Sequence, residues 1–399
     1  MDDISGAYER IVYFRKNLFT LPSGRSGKAF IREKTRLFNI LNEAGPLEVV
    51  AMKAAMVMEA LLLQRTSVKA SAKGNKDTLG RRLLMWNERR IIELLDEAVA
   101  IQERLTEQKK GIDESEVNRI FAKLIFEGKP RAGLDFLQRA TKGGAQKLSP
   151  EVVATLRSLH PRADPGPPEV YKEGEPPEAH PVIFEDLTAV DIKEAAGRTQ
   201  GGAGPSGGDA QHWKRMLFSF GDQSNELAEA MAAAARRMCT EYVDPQSLAA
   251  LLANRLMPMD KNPGTRPVGI GEVPRRIFGK AVVRLLRADI KNAAGVTQLC
   301  AGQEGGVEAA IHAMMQVFEL DDTDAVLLVD AQNAFNRLNR RAALHNIRFI
   351  CPPFATILIN WYREPARLFV AGGEELSSDE GTTQGDPCAM QMYALGVIL

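Results

Sequence analysis

The sequence predicts an α+β protein. Three observations carry that expectation: helical periodicity through residues 1–160, a strand, turn and strand pattern over 256–270, and a short apolar run at 325–329, AVLLV, that ends on a carboxylate. At 399 residues the chain is too long for one ordinary core, so more than one domain is expected. A hydrophobic share of 45% beside 26% charged residues is a folded composition, not a disordered one. The formal net charge of zero gives no overall sign of a polyanionic partner, although it conceals local asymmetry.

Composition also excludes several classes. Cys239, Cys300, Cys351 and Cys388 are far apart and form no CxxC pair, which argues against a zinc ribbon or a disulfide framework. The first residues, MDDISGAYER, lack the apolar core of a signal peptide. The most apolar stretch, 49–63, is interrupted by Lys53 and Glu59 and is too short to span a bilayer. The expectation is an intracellular protein, cytoplasmic or nuclear, with no membrane role.

Taken in order, residues 1–160 form a mostly helical region. Ile91, Leu94, Leu95, Ala98, Ile101 and Leu105 recur at helical spacing. Leu124, Ala132, Leu134, Leu137 and Ala140 extend the helical pattern, broken at Gly128 and Pro130. Ahead of these segments lies a basic run at 65–90: Arg65, Lys69, Lys73, Lys76, Arg81, Arg82, Arg89 and Arg90. Such a run is either a phosphate-binding patch or a solvated face.

Residues 161–181, PRADPGPPEVYKEGEPPEAHP, hold seven prolines and several glutamates, which reads as a moderately stiff linker. It divides 1–160 from 182–399. After it, 182–196 reads as a short extended piece and a helix. The run GGAGPSGG at 201–208 has the composition of a flexible tether. Residues 224–238 form a helix that Ser224 could cap. In 256–270 the turn falls at Asn262, Pro263 and Gly264. Residues 275–291 then form an amphipathic basic helix, with Ile277, Ala281, Leu285 and Ala288 on one side and Arg276, Lys280, Arg284 and Arg287 on the other. Residues 298–319 are expected to make another helix, whose His312 has no metal-spaced companions.

The chemistry concentrates in two stretches. The apolar run 325–329 delivers Asp330 to the end of an expected buried strand, with Phe335 five residues on. The second stretch is GTTQGDP at 381–387. The bare residues leave Asp330 open as a helix N-cap or a metal ligand. Together, however, the motifs resemble those of reverse transcriptases, and most closely the non-LTR (LINE-type) retrotransposon branch. The resemblance covers residues 182–399 and implies fingers followed by a partial palm sheet.

Several assignments come with that resemblance. Asp330 and the Ala331 carbonyl would hold catalytic Mg2+, and Phe335 would exclude a ribose 2′-hydroxyl. Gln384 and Gly385 would border the nucleotide pocket. Gly204, Pro205 and Gly207 match a Gly-Pro-x-Gly element ahead of the fingers, with Trp213 on the helix after it, and 298–319 match a Gln-x-Gly element and helix that pack behind the motif strand. Arg266, followed by Pro267, and Lys261 would grip the incoming triphosphate, because guanidinium binds phosphate with fixed geometry. Arg276, Lys280, Arg284 and Arg287 would lie along the nucleic acid. The implied partners are an RNA template, a DNA primer and deoxynucleoside triphosphates.

Nucleotide addition is an in-line attack on the α-phosphate that uses two magnesium ions about 3.5–4 Å apart, held by carboxylates touching both. The family supplies these from Asp330 and from two adjacent aspartates in a later hairpin, which has no counterpart up to Leu399. Asp321 and Asp322 precede the expected strand, and even Asp324 would lie about 20 Å from Asp330 if the chain between them is extended. Asp386 also departs from the family, which usually carries serine there, and its extra negative charge reads as a helix cap. The expectation is therefore an RNA-directed DNA polymerase domain that is inactive as this chain. The alternatives are a non-catalytic nucleic-acid-binding fragment or decayed element product, and an unrelated metal enzyme in which Asp330 and Asp386 share a site.

Overall fold

The computed structural model describes residues 2–14, 16–66, 71–106, 114–141, 144–261, 264–296, 298–299, 301, 303–370 and 373–398. It is a mixed α and β structure, as the sequence predicts. The N-terminal helices are α1 (Asp2–Ile11), α2 (Arg25–Asn42), α3 (Glu48–Leu63), α4 (Ala72–Asn87), α5 (Ile91–Thr106), α6 (Glu114–Phe126), α7 (Pro130–Thr141) and α8 (Pro150–Ser158). They are followed by α9 (Ala189–Arg198), α10 (Ala210–Phe218), α11 (Asp222–Thr240) and α12 (Pro245–Leu252).

The hairpin β1 (Asn254–Asp260) and β2 (Thr265–Gly271) leads into α13 (Val273–Leu285), α14 (Arg287–Ala294) and α15 (Gly306–Phe318). The chain ends with the short α16 (Ala334–Arg337), α17 (Arg340–Ile350), α18 (Pro352–Tyr362), the hairpin β3 (Ala366–Val370) and β4 (Glu375–Ser378), and α19 (Ala389–Gly396). The expected basic helix is thus two helices, α13 and α14. Of the expected turn, Asn262 and Pro263 lie outside the described residues, while Gly264 has φ +111.

The four strands form one sheet in the order β2, β1, β3, β4. The two hairpins are antiparallel, and β1 runs parallel to β3, with Asn254 opposite Leu368. Leu156 of α8 covers one face with Leu256, Leu368, Val370 and Leu376.

The helical N-terminal region is not separate from the C-terminal half. One buried cluster runs from Ala7 to Leu395 and includes α2, α3, α11, α13 and α18. Helix α3 is apolar nearly all round, which fits a central helix rather than a surface one. Its Glu59 and the Lys34 ammonium of α2 form a buried ion pair at 2.8 Å.

The proline-rich stretch expected as a linker is instead a strap across α17. Proline-rich backbone has carbonyls to satisfy and few donors, and the side chains of α17 supply donors. Asn339 Nδ2 donates to the Asp164 carbonyl at 2.8 Å, and Asn346 Nδ2 donates to Val170 at 2.7 Å. The basic run at 65–90 is mostly a solvent-facing surface: among its described members only Arg82 is buried, while Lys73, Lys76, Arg81, Arg89 and Arg90 are exposed; Arg81 and Arg82 pair with Glu97, Arg90 pairs with Glu88 and Glu93, and Lys69 lies outside the described residues. Ser224 does not cap α11, which starts at Asp222. Its hydroxyl donates to the Met216 carbonyl at 2.6 Å and closes the turn from α10.

The expected buried strand at 325–329 is corrected. It is irregular and exposed: Leu327 is 85%, Leu328 78% and Val329 83% accessible. The run has the composition of a strand, but a strand is stabilised by a paired neighbour. No backbone hydrogen bond joins 324–332 to the described residues. Helix α15 does not pack behind it either. Only Gly306 of α15 is buried, while Ile311, Met315, Val317 and Phe318 are exposed.

Candidate functional site

The two motif stretches meet, but through their later residues. The Phe335 carbonyl accepts the Thr382 amide at 2.6 Å, and the Leu338 carbonyl accepts the Gly381 amide at 3.0 Å. Gly381 has φ +63, and a Cβ there would overlap the Phe335 oxygen and the Asn336 backbone. Only glycine allows both the left-handed turn and the close approach. The Phe335 ring is half-buried, 5.4 Å from the Tyr393 ring of α19.

The same loop reaches the root of the first hairpin. The Gly269 amide on β2 donates to the Gln384 carbonyl at 3.1 Å. Gly385, at φ +105, would carry a Cβ 2.8 Å from the Gly269 oxygen. The Gln384 side chain makes no hydrogen bond among the described residues, and Gly385 is exposed. The loop therefore presents an open amide between tightly fixed backbone segments.

Asp386 is explained by its surroundings. One carboxylate oxygen accepts the Cys388 amide at 2.7 Å, which caps the turn into α19. The other lies 2.6 Å from Arg275 Nη2, and both side chains are buried, at 1% and 2% accessibility. The extra negative charge is thus neutralised internally. A site shared with Asp330 is ruled out, because Asp330 is exposed while the Asp386 carboxylate is enclosed against Arg275.

Asp330 and Ala331 sit on the exposed irregular stretch. Among the described residues there is no group of three or more His, Cys, Asp or Glu that could hold a metal ion. A lone exposed carboxylate does not fit a two-ion site, which needs carboxylates shared between the ions.

The expected cations fall into two sets. Lys261 and Arg266 are exposed near the tip of the first hairpin, and Arg266 is three residues from Gly269, about 10 Å along the strand. Strand alternation puts Arg266 on the face of Val268 and Ile270. The second set is engaged within the chain. Arg276 donates to the Gln200 and Gly202 carbonyls, Lys280 donates to Arg198 at 3.1 Å, Arg284 pairs with Glu194, and Arg287 pairs with Glu304 at 2.7 Å. Burial, with Arg276 and Lys214 nearby, pushes the Lys280 ammonium down.

The glycine-rich run is a clasp rather than a tether. The Ser206 amide and hydroxyl both donate to the Glu272 carboxylate at 2.6 Å. A Cβ at Gly204 would lie 2.8 Å from the Glu272 nitrogen, and one at Gly207 would lie 2.5 Å from Lys16. Trp213 is buried on α10 just beyond. Glu272 is fully buried, and burial pushes it up to about 7 despite the Ser206 bonds. Beside the clasp is a cleft of about 730 Å³, lined in part by Lys16, His212, Lys214 and Arg215.

Sequence reasoning missed Asn333 and Asn336, whose amides both donate to the Leu159 carbonyl, at 2.8 and 3.0 Å. It also missed Arg340, Tyr362 and the role of Arg275. A Lys or Arg in a motif-free segment carries no local sign of being buried. No protein-family model matches the chain, and no curated protein is similar to it.

Proposed function

We propose that this chain is the fingers and the first part of the palm of an RNA-directed DNA polymerase of the LINE-type retrotransposon class. The observation that supports this most is the convergence on one loop: Phe335, Gln384 and the root of the hairpin that bears Arg266 are joined through Thr382 and Gly269. A ring, a free amide and an exposed guanidinium are the groups that a deoxynucleoside triphosphate needs around its sugar, base and phosphates.

In this reading Mg2+ is the cofactor, and Asp330 with the Ala331 carbonyl supplies part of its donor set. Among the described residues no group of three or more His, Cys, Asp or Glu gathers around Asp330 to complete such a set. The residues present bind and orient: Gln384 and Phe335 face the nucleotide, Lys261 and Arg266 meet its phosphates, and Arg284 and Arg287, exposed although paired with Glu194 and Glu304, attract the nucleic-acid backbone. A binding role without chemistry is the second reading, favoured by the isolated position of Asp330.

Primer extension tests the assignment. An RNA template, a DNA primer, Mg2+ and all four deoxynucleotides should give no extension with this chain. Robust incorporation that Asp330→Ala abolishes would overturn the expected inactivity. The polymerase reading itself fails if the chain binds neither hybrid nor triphosphate.

A further inference from the structure

Two buried arginines hold the ends of the Gln384 loop. Arg340, 4% accessible, donates Nε to the Gly381 carbonyl at 2.9 Å and Nη1 to the Ser378 carbonyl at 2.7 Å. Its Nη2 donates to the Ser378 hydroxyl and the Glu380 carbonyl, each at 2.9 Å, while its backbone amide donates to Glu380 Oε2 at 3.0 Å. At the other end Arg275 meets Asp386, and its Nη1 donates to the Leu252 carbonyl at 3.1 Å.

The two clamps share an aromatic ring. The guanidinium carbons of Arg275 and Arg340 lie 5.4 and 5.5 Å from the Tyr362 centroid, and Arg275 is also 5.1 Å from Trp361. Burying a guanidinium is costly unless its donors are used and its charge is met. Placing two of them around one loop goes beyond what a surface turn needs. Gly279 of α13 adds a close fit, since a Cβ there would overlap Pro387. The middle of the loop is different: it is fixed by the Gly269 bond, and Gln384 is left without a side-chain partner among the described residues.

We propose that Arg275 and Arg340 are positioning residues that pre-organise the 382–385 segment to receive a deoxynucleoside triphosphate; this rests on the polymerase reading above. A fixed backbone that leaves only the Gln384 side chain without a partner among the described residues lowers the ordering cost of binding. Internal neutralisation of Asp386 keeps an unpaired anion away from the triphosphate. Lysine cannot replace Arg340, because one ammonium cannot span the Gly381, Ser378 and Glu380 carbonyls in a fixed fork.

The test uses the full chain, the Arg340→Lys variant and the double variant Arg275→Met with Asp386→Leu, which removes the ion pair without stranding a buried charge. Amide hydrogen exchange reports the loop, and intrinsic tryptophan fluorescence reports binding of deoxythymidine triphosphate with Mg2+. Both variants should raise exchange at 381–387 by about tenfold while α11 amides stay as in wild type, and weaken triphosphate binding by about tenfold. Arg340→Met should weaken binding further than Arg340→Lys. The proposal is overturned if the folded variants keep wild-type loop protection or wild-type affinity, or if α11 loosens equally. If wild type binds an RNA and DNA hybrid but no triphosphate, this proposal alone is overturned; if it binds neither, the polymerase reading falls as well.

Discussion

Replacing Gly381 with alanine tests whether the two motif stretches are locked together. The left-handed backbone alone costs a residue with a Cβ about 1–2 kcal/mol. At Gly381 the new methyl would also overlap the Phe335 oxygen and Asn336 backbone atoms, and no side-chain rotation relieves that. The segments must separate, which loses or lengthens the bonds from Gly381 to Leu338 and from Thr382 to Phe335. With each bond worth about 1 kcal/mol, the expected total is about 3–4 kcal/mol. Gly305 is a better control, because it is left-handed at φ +61 and the nearest atom to a Cβ there is the flexible end of the Glu308 side chain at 4.0 Å. Gly305→Ala should therefore cost only about 1–2 kcal/mol. Urea denaturation of both variants against wild type measures the difference. Equal losses for the two would refute the close docking of Phe335 on the 381–382 turn.

Three further outcomes rest on the same geometry. Glu272 is raised from 4.5 to about 7 in the folded chain, so its protonated form is favoured there; the stability it contributes is complete below 4.5 and is lost as pH rises through about 7. Wild type should lose up to about 3 kcal/mol relative to Glu272→Gln between those limits, and parallel pH profiles would contradict this. The exposed apolar side chains of α15 and of 326–329 should drive concentration-dependent association, which Leu327→Asp with Leu328→Lys reduces; sedimentation showing a wild-type monomer at high concentration would refute it. Arg82→Met should destabilise by about 3–5 kcal/mol, since Arg82 is 1% accessible and bonds Leu62, Gln64 and Glu97; a loss under about 1 kcal/mol by thermal unfolding would count against that network.

Local patterns were legible where a local cause was sufficient. The β1 and β2 hairpin showed in its alternation and turn residues, and α5, α6 and α7 showed in their apolar spacing and in the break at Gly128 and Pro130. What the sequence hid was pairing over distance. The run at 325–329 has the composition of a buried strand, yet burial depends on a neighbouring strand that composition cannot report. The parallel match of Asn254 with Leu368 is equally silent in a linear reading. At the site, Gln384 and Phe335 were singled out by motif, and the Thr382 bond joins their two segments. Asp386 reads as a helix cap, which its bond from the Cys388 amide bears out, but the partner that neutralises it, Arg275, is remote in sequence. The glycine-rich run looked like a tether because glycine content alone cannot distinguish freedom from close packing, and only the positions of Glu272 and Lys16 decide it.

The central claim is tested most directly by equilibrium binding of an RNA and DNA hybrid across a salt series. Released counterions make log K fall linearly with log salt, and contacts to several phosphates predict a slope of about −3 or steeper. Arg266→Ala should make that slope shallower by about 1. Binding is expected to be tight at low salt and to weaken along this line. Absence of binding at low salt, or binding indifferent to salt, would contradict it.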